Sequence, residues 1–344
     1  MKKIYLILSV FGLVFTACET DFEVNAEWEE TTVVFGLLDK AKEIQFVKVN
    51  KAFLGEADAL QMAQYSDSVN YVPFDYIDST GEIQVTLYKI NFNDTIDFRV
   101  LKDTLIVKDS LDSNGEAGIF SIENNIIYYF NTPEGDNFLS ENRTYSLVIN
   151  NVKTGNIVSA STEIIKGFDF TEGIPNSSSN KLTFYVDGLG YRFPRFEWSS
   201  VNSPNAEIFQ FNLRFHYTEN AVAKELLWTQ TALGRKDNIL ILSGEEFFHQ
   251  FLANKLKDDY LDDDEERKFI GIDIEMTLGS QDLKTYIAVN EPITGIVQER
   301  PQFTNIINGI GLFSSRYTKV EGPLNLNLDS EKYIIEELDL NFIQ

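Results

Sequence analysis

"AEIFQFNLRFHY", residues 206 to 217, sets Phe209, Phe211, Leu213, Phe215 and Tyr217 on one face of an extended chain. A two-residue period over that length marks a strand with one buried side. His216 lies opposite those rings and is expected to face solvent. Shorter runs of the same kind surround it: "KLTFYV" (181–186) and "PRFEWSS" (194–200) before, "ELLWTQT" (225–231) and "NILILS" (238–243) after. The C-terminal half therefore reads as a sheet.

The period then changes. Ser243 with Glu246 forms a capping box, and Phe247, Phe248, Phe251, Leu252 and Leu256 follow at helical spacing. This predicts an amphipathic helix near 244–257 packed on the sheet, with His249 packed or half-exposed within it. "FIGIDIEMTL" (269–278) returns to strand, and "QDLKTYIAVN" (281–290) is a candidate second helix.

Upstream, "TTVVFGLL" (31–38) and "EIQFVKV" (43–49) flank a hairpin connection. "EIQVTLYK" (82–89), "NIIYYFN" (125–131), "TYSLVIN" (144–150) and "IVSASTEII" (157–165) continue as short strands between polar turns. Such strands predict an N-terminal antiparallel β-sandwich of immunoglobulin or transthyretin type over 31–168. Gly, Pro, Asn and Ser cluster in "EGIPNSSSN" (172–180), and the expected division leaves a second β-rich domain over 178–344. The fold class is mainly β, with one or two packed helices.

Composition agrees. Phe 27 and Tyr 15 against Trp 3 and Met 3 skew the core toward aromatic, sheet-favouring residues. A formal net charge of −24 disfavours nucleic acid and basic-patch binding to anionic membranes.

Lys2 and Lys3 precede the apolar run Ile4–Phe15, too short to span a bilayer and suited to a signal peptide over 1–17. Thr16-Ala17-Cys18 resembles a bacterial lipobox, with Phe15 where a Leu or small aliphatic residue is usual. That resemblance implies cleavage before Cys18 and attachment of lipid to its thiol. Cys18 is the only cysteine, so no disulfide stabilises the chain. Removing Lys2 and Lys3 takes the charge from −24 to −26. An acidic tether, 18–30, follows with Glu19, Asp21, Glu23, Glu27, Glu29 and Glu30. It resembles the surface-export signal of Bacteroidota lipoproteins, and a solvated tether is the equal alternative.

Near the C-terminus, "RPQFTNIINGIGLFSSR" (300–316) carries Phe303, Asn305, Ile306, Gly309, Gly311, Leu312 and Phe313 in the order aromatic-x-Asn-Ile, then Gly-x-Gly-hydrophobic-Phe. This resembles the Bacteroidota lipoprotein family catalogued as a domain of unknown function and found beside TonB-dependent outer-membrane transporters. Ser314-Ser315 stands where a small Gly or Ala is usual. The resemblance implies an outer-membrane, lipid-anchored protein at the cell surface that assists such a transporter in capturing a ligand. From the residues themselves, Asn305 can cap a turn, and Gly309 and Gly311 suit positive φ or close backbone approach. No lysine follows at phosphate-loop spacing, so a structural role is expected for this motif.

Other signals are weaker. Asp262, Asp263, Asp264, Glu265 and Glu266 run consecutively rather than at calcium-loop spacing. "DSLDSNGE" (109–116) has Ser110 and Ser121 where Asp and Glu ligands are needed. Neither His216 nor His249 has a Cys or His partner at metal spacing, and G-x-S-x-G is absent. No cofactor, metal or catalytic residue is therefore assigned, and the expectation is a non-enzymatic protein. A structural or adhesive surface lipoprotein and a hydrolase are the alternatives. Asp78-Ser79-Thr80, Asp94-Thr95-Ile96 and Asp103-Thr104-Leu105, with Asp67-Ser68-Val69 and Asp109-Ser110-Leu111, resemble Bacteroidota O-glycosylation acceptors, which have to be exposed.

Overall fold

The computed structural model describes residues 31–52, 69–106, 125–175, 181–201, 203–233, 238–257, 266–291 and 302–344. The protein is mainly β. The first half contains β1 (Thr31–Asp39), β2 (Ile44–Ala52), β3 (Ile83–Asn91), β4 (Asp94–Val100), β5 (Lys102–Ile106), β6 (Asn125–Asn131), β7 (Thr144–Asn151) and β8 (Ile157–Glu163). Next come β9 (Asp169–Glu172), β10 (Tyr185–Val186), β11 (Gly190–Tyr191), β12 (Arg195–Ser199), β13 (Ala206–Glu219), β14 (Val222–Leu233) and β15 (Ile239–Ile241). Helix α1 is π-helical over Glu246–Ala253 and α-helical over Asn254–Leu256. Last come β16 (Arg267–Ser280), α2 (Gln281–Asn290), β17 (Gly309–Leu324), α3 (Leu328–Glu336) and β18 (Phe342–Ile343).

One nine-stranded sheet organises the molecule in the order β14-β13-β16-β17-β1-β2-β6-β5, with β18 against the start of β16. A four-stranded sheet, β4-β3-β7-β8, lies over its N-terminal half. Val34, Val47, Val49 and Phe130 from the large sheet meet Val85, Leu87, Tyr145 and Leu147 from the smaller one. The two sheets pack face to face, and the large one is not purely antiparallel: β18 runs parallel to β16. β1 pairs with β17 in parallel, from Thr32 opposite Gly309 to Asp39 opposite Arg316. Ile306 and Phe313 therefore enter the first core from the C-terminal end of the chain. The large sheet runs across the expected division between 168 and 178.

The other half of the same inner face buries a second core. All five residues that set the period of β13, namely Phe209, Phe211, Leu213, Phe215 and Tyr217, are buried. Over them lie Phe247, Phe248, Phe251, Leu252 and Leu256 of α1, as their spacing predicts. Phe184 stacks on Phe247 with ring centroids 4.0 Å apart, and Trp228 on Phe251 at 5.4 Å. Each fully buried Phe or Leu contributes roughly 1.5–3 kcal/mol relative to an exposed one. The forward half of the capping box forms: Glu246 N–H donates to Ser243 Oγ at 3.4 Å. A three-stranded sheet, β15-β12-β9, buries Trp198 against Phe209 beside this core.

Arg267 closes one end of the second core. It is 1 % exposed, and its Nε donates to Glu219 Oε2 at 2.9 Å. Its Nη1 donates to the carbonyls of Leu340 at 3.2 Å and Leu256 at 3.5 Å. One cation thus fastens β13, the end of α1 and the segment before β18. Burial works to raise the pKa of Glu219, but its hydrogen bonds to Lys224 and Arg267 outweigh this and hold it below the usual carboxylate range.

Candidate functional site

The inner face of the large sheet is buried in the cores, and its outer face is partly open. On β14, β13 and β16 that face is charged. Arg214 pairs with Glu225 and lies 3.6 Å from Glu275, while Asn212 donates to Glu275 at 2.9 Å. His216 Nε2 sits 2.9 Å from Asp273 Oδ2. His216 does point outward, as its parity requires, but it is half-buried within this lattice.

On β1, β2 and β6 the same face is largely apolar, with Lys48 bonded to Asn125 and the Ile126 carbonyl among its apolar neighbours. Phe35, Ile44 and Phe46 are 41 %, 46 % and 43 % exposed. With Leu37, Ile127 and Leu312 they floor a groove, and Leu283, Tyr286 and Ile287 of α2 form its wall. The cavity measures about 440 Å³. Phe35 meets Tyr286 edge-on at 5.8 Å, and Phe46 meets Tyr129 at 6.5 Å.

The motif at 303–313 builds the wall and the seam. Ser280 ends β16 and caps α2, accepting from Leu283 N–H at 3.4 Å and bonding to the Ser314 hydroxyl. Asn305 does not cap a turn; it acts as a strand partner. Its Oδ1 accepts from Phe313 N–H at 2.9 Å, and its Nδ2 donates to Phe313 O at 2.7 Å and to Asp282 Oδ2 at 2.8 Å. Gly311 has φ +117°, and a Cβ there would overlap the Val34 carbonyl oxygen. Phe313 and Ile306 are buried in the first core, Gly309 pairs with Thr32, and Phe303 is half-buried. The structure thus gathers these residues at the β1–β17 seam, directly behind the groove. Ser314 and Ser315, fully buried, are hydrogen-bonded there to Ser280 and to the Glu163 carbonyl.

One end of the groove is polar. Asp39 is 2 % exposed; its Oδ1 accepts from Ala41 N–H at 3.0 Å, and its Oδ2 makes no hydrogen bond. Arg316 Nε lies 3.5 Å from that Oδ2, too long and poorly aligned for a hydrogen bond. Burial raises the pKa of Asp39, opposed by the hydrogen bonds from Ala41 and Thr318 and by the charge of Arg316. Gln45 fixes the turn beneath by accepting from Asp39 N–H and donating to the carbonyls of Asp39 and Lys42, each at 2.8 Å. Lys42 lines the same end of the groove.

Two other features belong to the frame. A cavity of about 560 Å³ lies between α3, β16 and β18, with Phe269, Ile270 and Phe342 on its walls and both Glu331 and Glu336 beside Lys332. Tyr191 OH bonds His249 Nε2 at 2.8 Å and Tyr333 OH at 2.7 Å, tying β11 to α1 and α3. His249 is exposed, and the Tyr333 hydroxyl is pushed well up by burial and by the Tyr191 hydroxyl.

Cys18, the tether, Ser110 to Ser121 and Asp262 to Glu265 lie outside the described residues. Among the described residues no group of three or more His, Cys, Asp or Glu side chains is placed to hold a metal ion. Ser79, Thr95 and Thr104 are exposed. No described helix is long and apolar enough to cross a membrane. Comparison with protein-family models and with curated proteins gives no significant match.

Proposed function

We propose that this chain is a non-enzymatic, lipid-anchored protein of the bacterial outer membrane that captures a ligand in the outer groove and serves a TonB-dependent transporter. The observation that carries the capture reading is the groove. An aromatic-lined concavity of about 440 Å³ is the size and character of a small-molecule site, and it shares its face with the ion pairs of Arg214 and His216. The anchor rests on Cys18 directly after a short apolar run, and stable attachment takes more than one acyl chain. The motif at 303–313 links the chain by resemblance to transporter-associated lipoproteins, and the seam it builds holds α2 over the groove.

Intact-mass measurement of the native protein tests the anchor: an added acyl mass at Cys18 is expected, and Cys18→Ala moves the protein to the soluble fraction. Extraction in mild detergent tests the partnership, with co-purification of a plug-and-barrel transporter expected. Recovery of the protein alone, with normal uptake in a deletion strain, rejects it.

A further inference from the structure

Resting on the reading of the groove as the capture site, we propose that its ligand is a small amphipathic monocarboxylate, an aromatic or short alkyl body bearing one carboxylate. The floor decides the body. Phe35, Phe46 and Leu312 offer no hydrogen-bonding group, and Lys48 beside them is engaged with Asn125 and the Ile126 carbonyl, so a sugar laid on them loses water from its hydroxyls, whereas an apolar body gains. Phe35 on the floor and Tyr286 on the wall accept a flat ring edge-on or offset.

The polar end decides the charge. On a chain of −24, the groove brings Lys42 and Arg316 to one end. Among the described residues neither side chain donates a hydrogen bond, and the sole ion-pair contact is Arg316 Nε to Asp39 at 3.5 Å. A planar guanidinium binds a carboxylate through two donors, which suits Arg316 to this role. Asp39 sets the upper limit: its buried carboxylate stands beside Arg316, so a second negative charge on the ligand is repelled. A phosphate monoester is disfavoured there relative to a monocarboxylate, because each added negative charge meets the same Asp39 repulsion.

The test uses the full chain carrying Cys18→Ser, free of detergent, titrated calorimetrically with naphthalene-2-carboxylate and, separately, with its neutral amide. Saturable one-to-one binding of the carboxylate is expected, with the amide weaker by about tenfold or more. Arg316→Gln and Phe46→Ala each weaken the carboxylate by at least about tenfold. Lys42→Gln, at an exposed side chain, gives a smaller loss and serves if Arg316→Gln perturbs folding. Absence of saturable binding at millimolar ligand, equal affinity for acid and amide, or unchanged affinity in both Arg316→Gln and Lys42→Gln overturns the proposal. Acylation and co-extraction are measured independently, so failure here with an acylated, transporter-bound protein rejects only the ligand class. Carboxylate binding by a chain that is never acylated keeps the site and rejects the envelope role.

Discussion

The two halves of the outer face of the large sheet share strand geometry and differ in how they deal with water. On β13, β14 and β16, Arg214, Glu225, Glu275, His216 and Asp273 satisfy one another and need no cover. On β1, β2 and β6, Phe35, Ile44 and Phe46 remain part-exposed beside a helix that covers them only in part. A surface of paired charges is finished. A concave apolar surface with an underused guanidinium at its end is suited to receiving something.

The comparison is broken hardest where charge turns inward at the end of the charged half. Arg267→Met removes a buried cation that shares Glu219 with Lys224 and also holds the Leu256 and Leu340 carbonyls, and should cost about 1.5–3 kcal/mol in urea denaturation. A loss under about 1 kcal/mol would place this pair in solvent, with the rest of the lattice. At the seam between the halves, Gly311→Ala forces a Cβ into Val34 at φ +117° and should cost about 1–3 kcal/mol, read as a lowered Tm.

Acid titration sharpens the contrast. The folded pKa of Glu219 is depressed, so its stabilisation holds above the unfolded carboxylate value and is lost as pH falls through the folded one; Glu219→Gln should flatten that acid limb. The pKa of Asp39 is raised, so its contribution runs the other way and fades as pH rises from the unfolded value through the folded one. The difference in stability between Asp39→Asn and the parent should therefore move in favour of the variant over that window. Smallest is the lattice itself: Arg214→Gln should cost about 0.2–1 kcal/mol and leave the groove unaffected.

The legible parts of the fold were those with a local period. β13 and α1 each display their buried side in their own residues, and both formed where that spacing placed them. The β1–β17 pairing joins Val34 to Gly311, and no local pattern can report a partner so far along the chain. Helix α3, "LDSEKYIIE", was missed because only a few apolar residues interrupt its charges and its burial depends on the second core it lands on. The groove left a trace that went unread. "TTVVFGLL" is apolar on both faces, as expected of a strand covered on two sides, and Phe35 and Leu37 are the outward set. The residues of the motif at 303–313 lie in the seam. That Asn305 bonds to Phe313 and Asp282 rather than capping a turn is a matter of long-range geometry.

β1 follows directly on the segment that carries Cys18, and it lies inside the sheet rather than at an edge. From Thr32 to Gly36 it is held by β17 on one side and β2 on the other, and from Leu37 to Asp39 by β17. Tension arriving through the preceding segment therefore loads an interior strand, and drawing it out means tearing two rows of backbone bonds together. A pull applied there bears on the middle of the large sheet, where Val34 and Leu38 are locked into the first core.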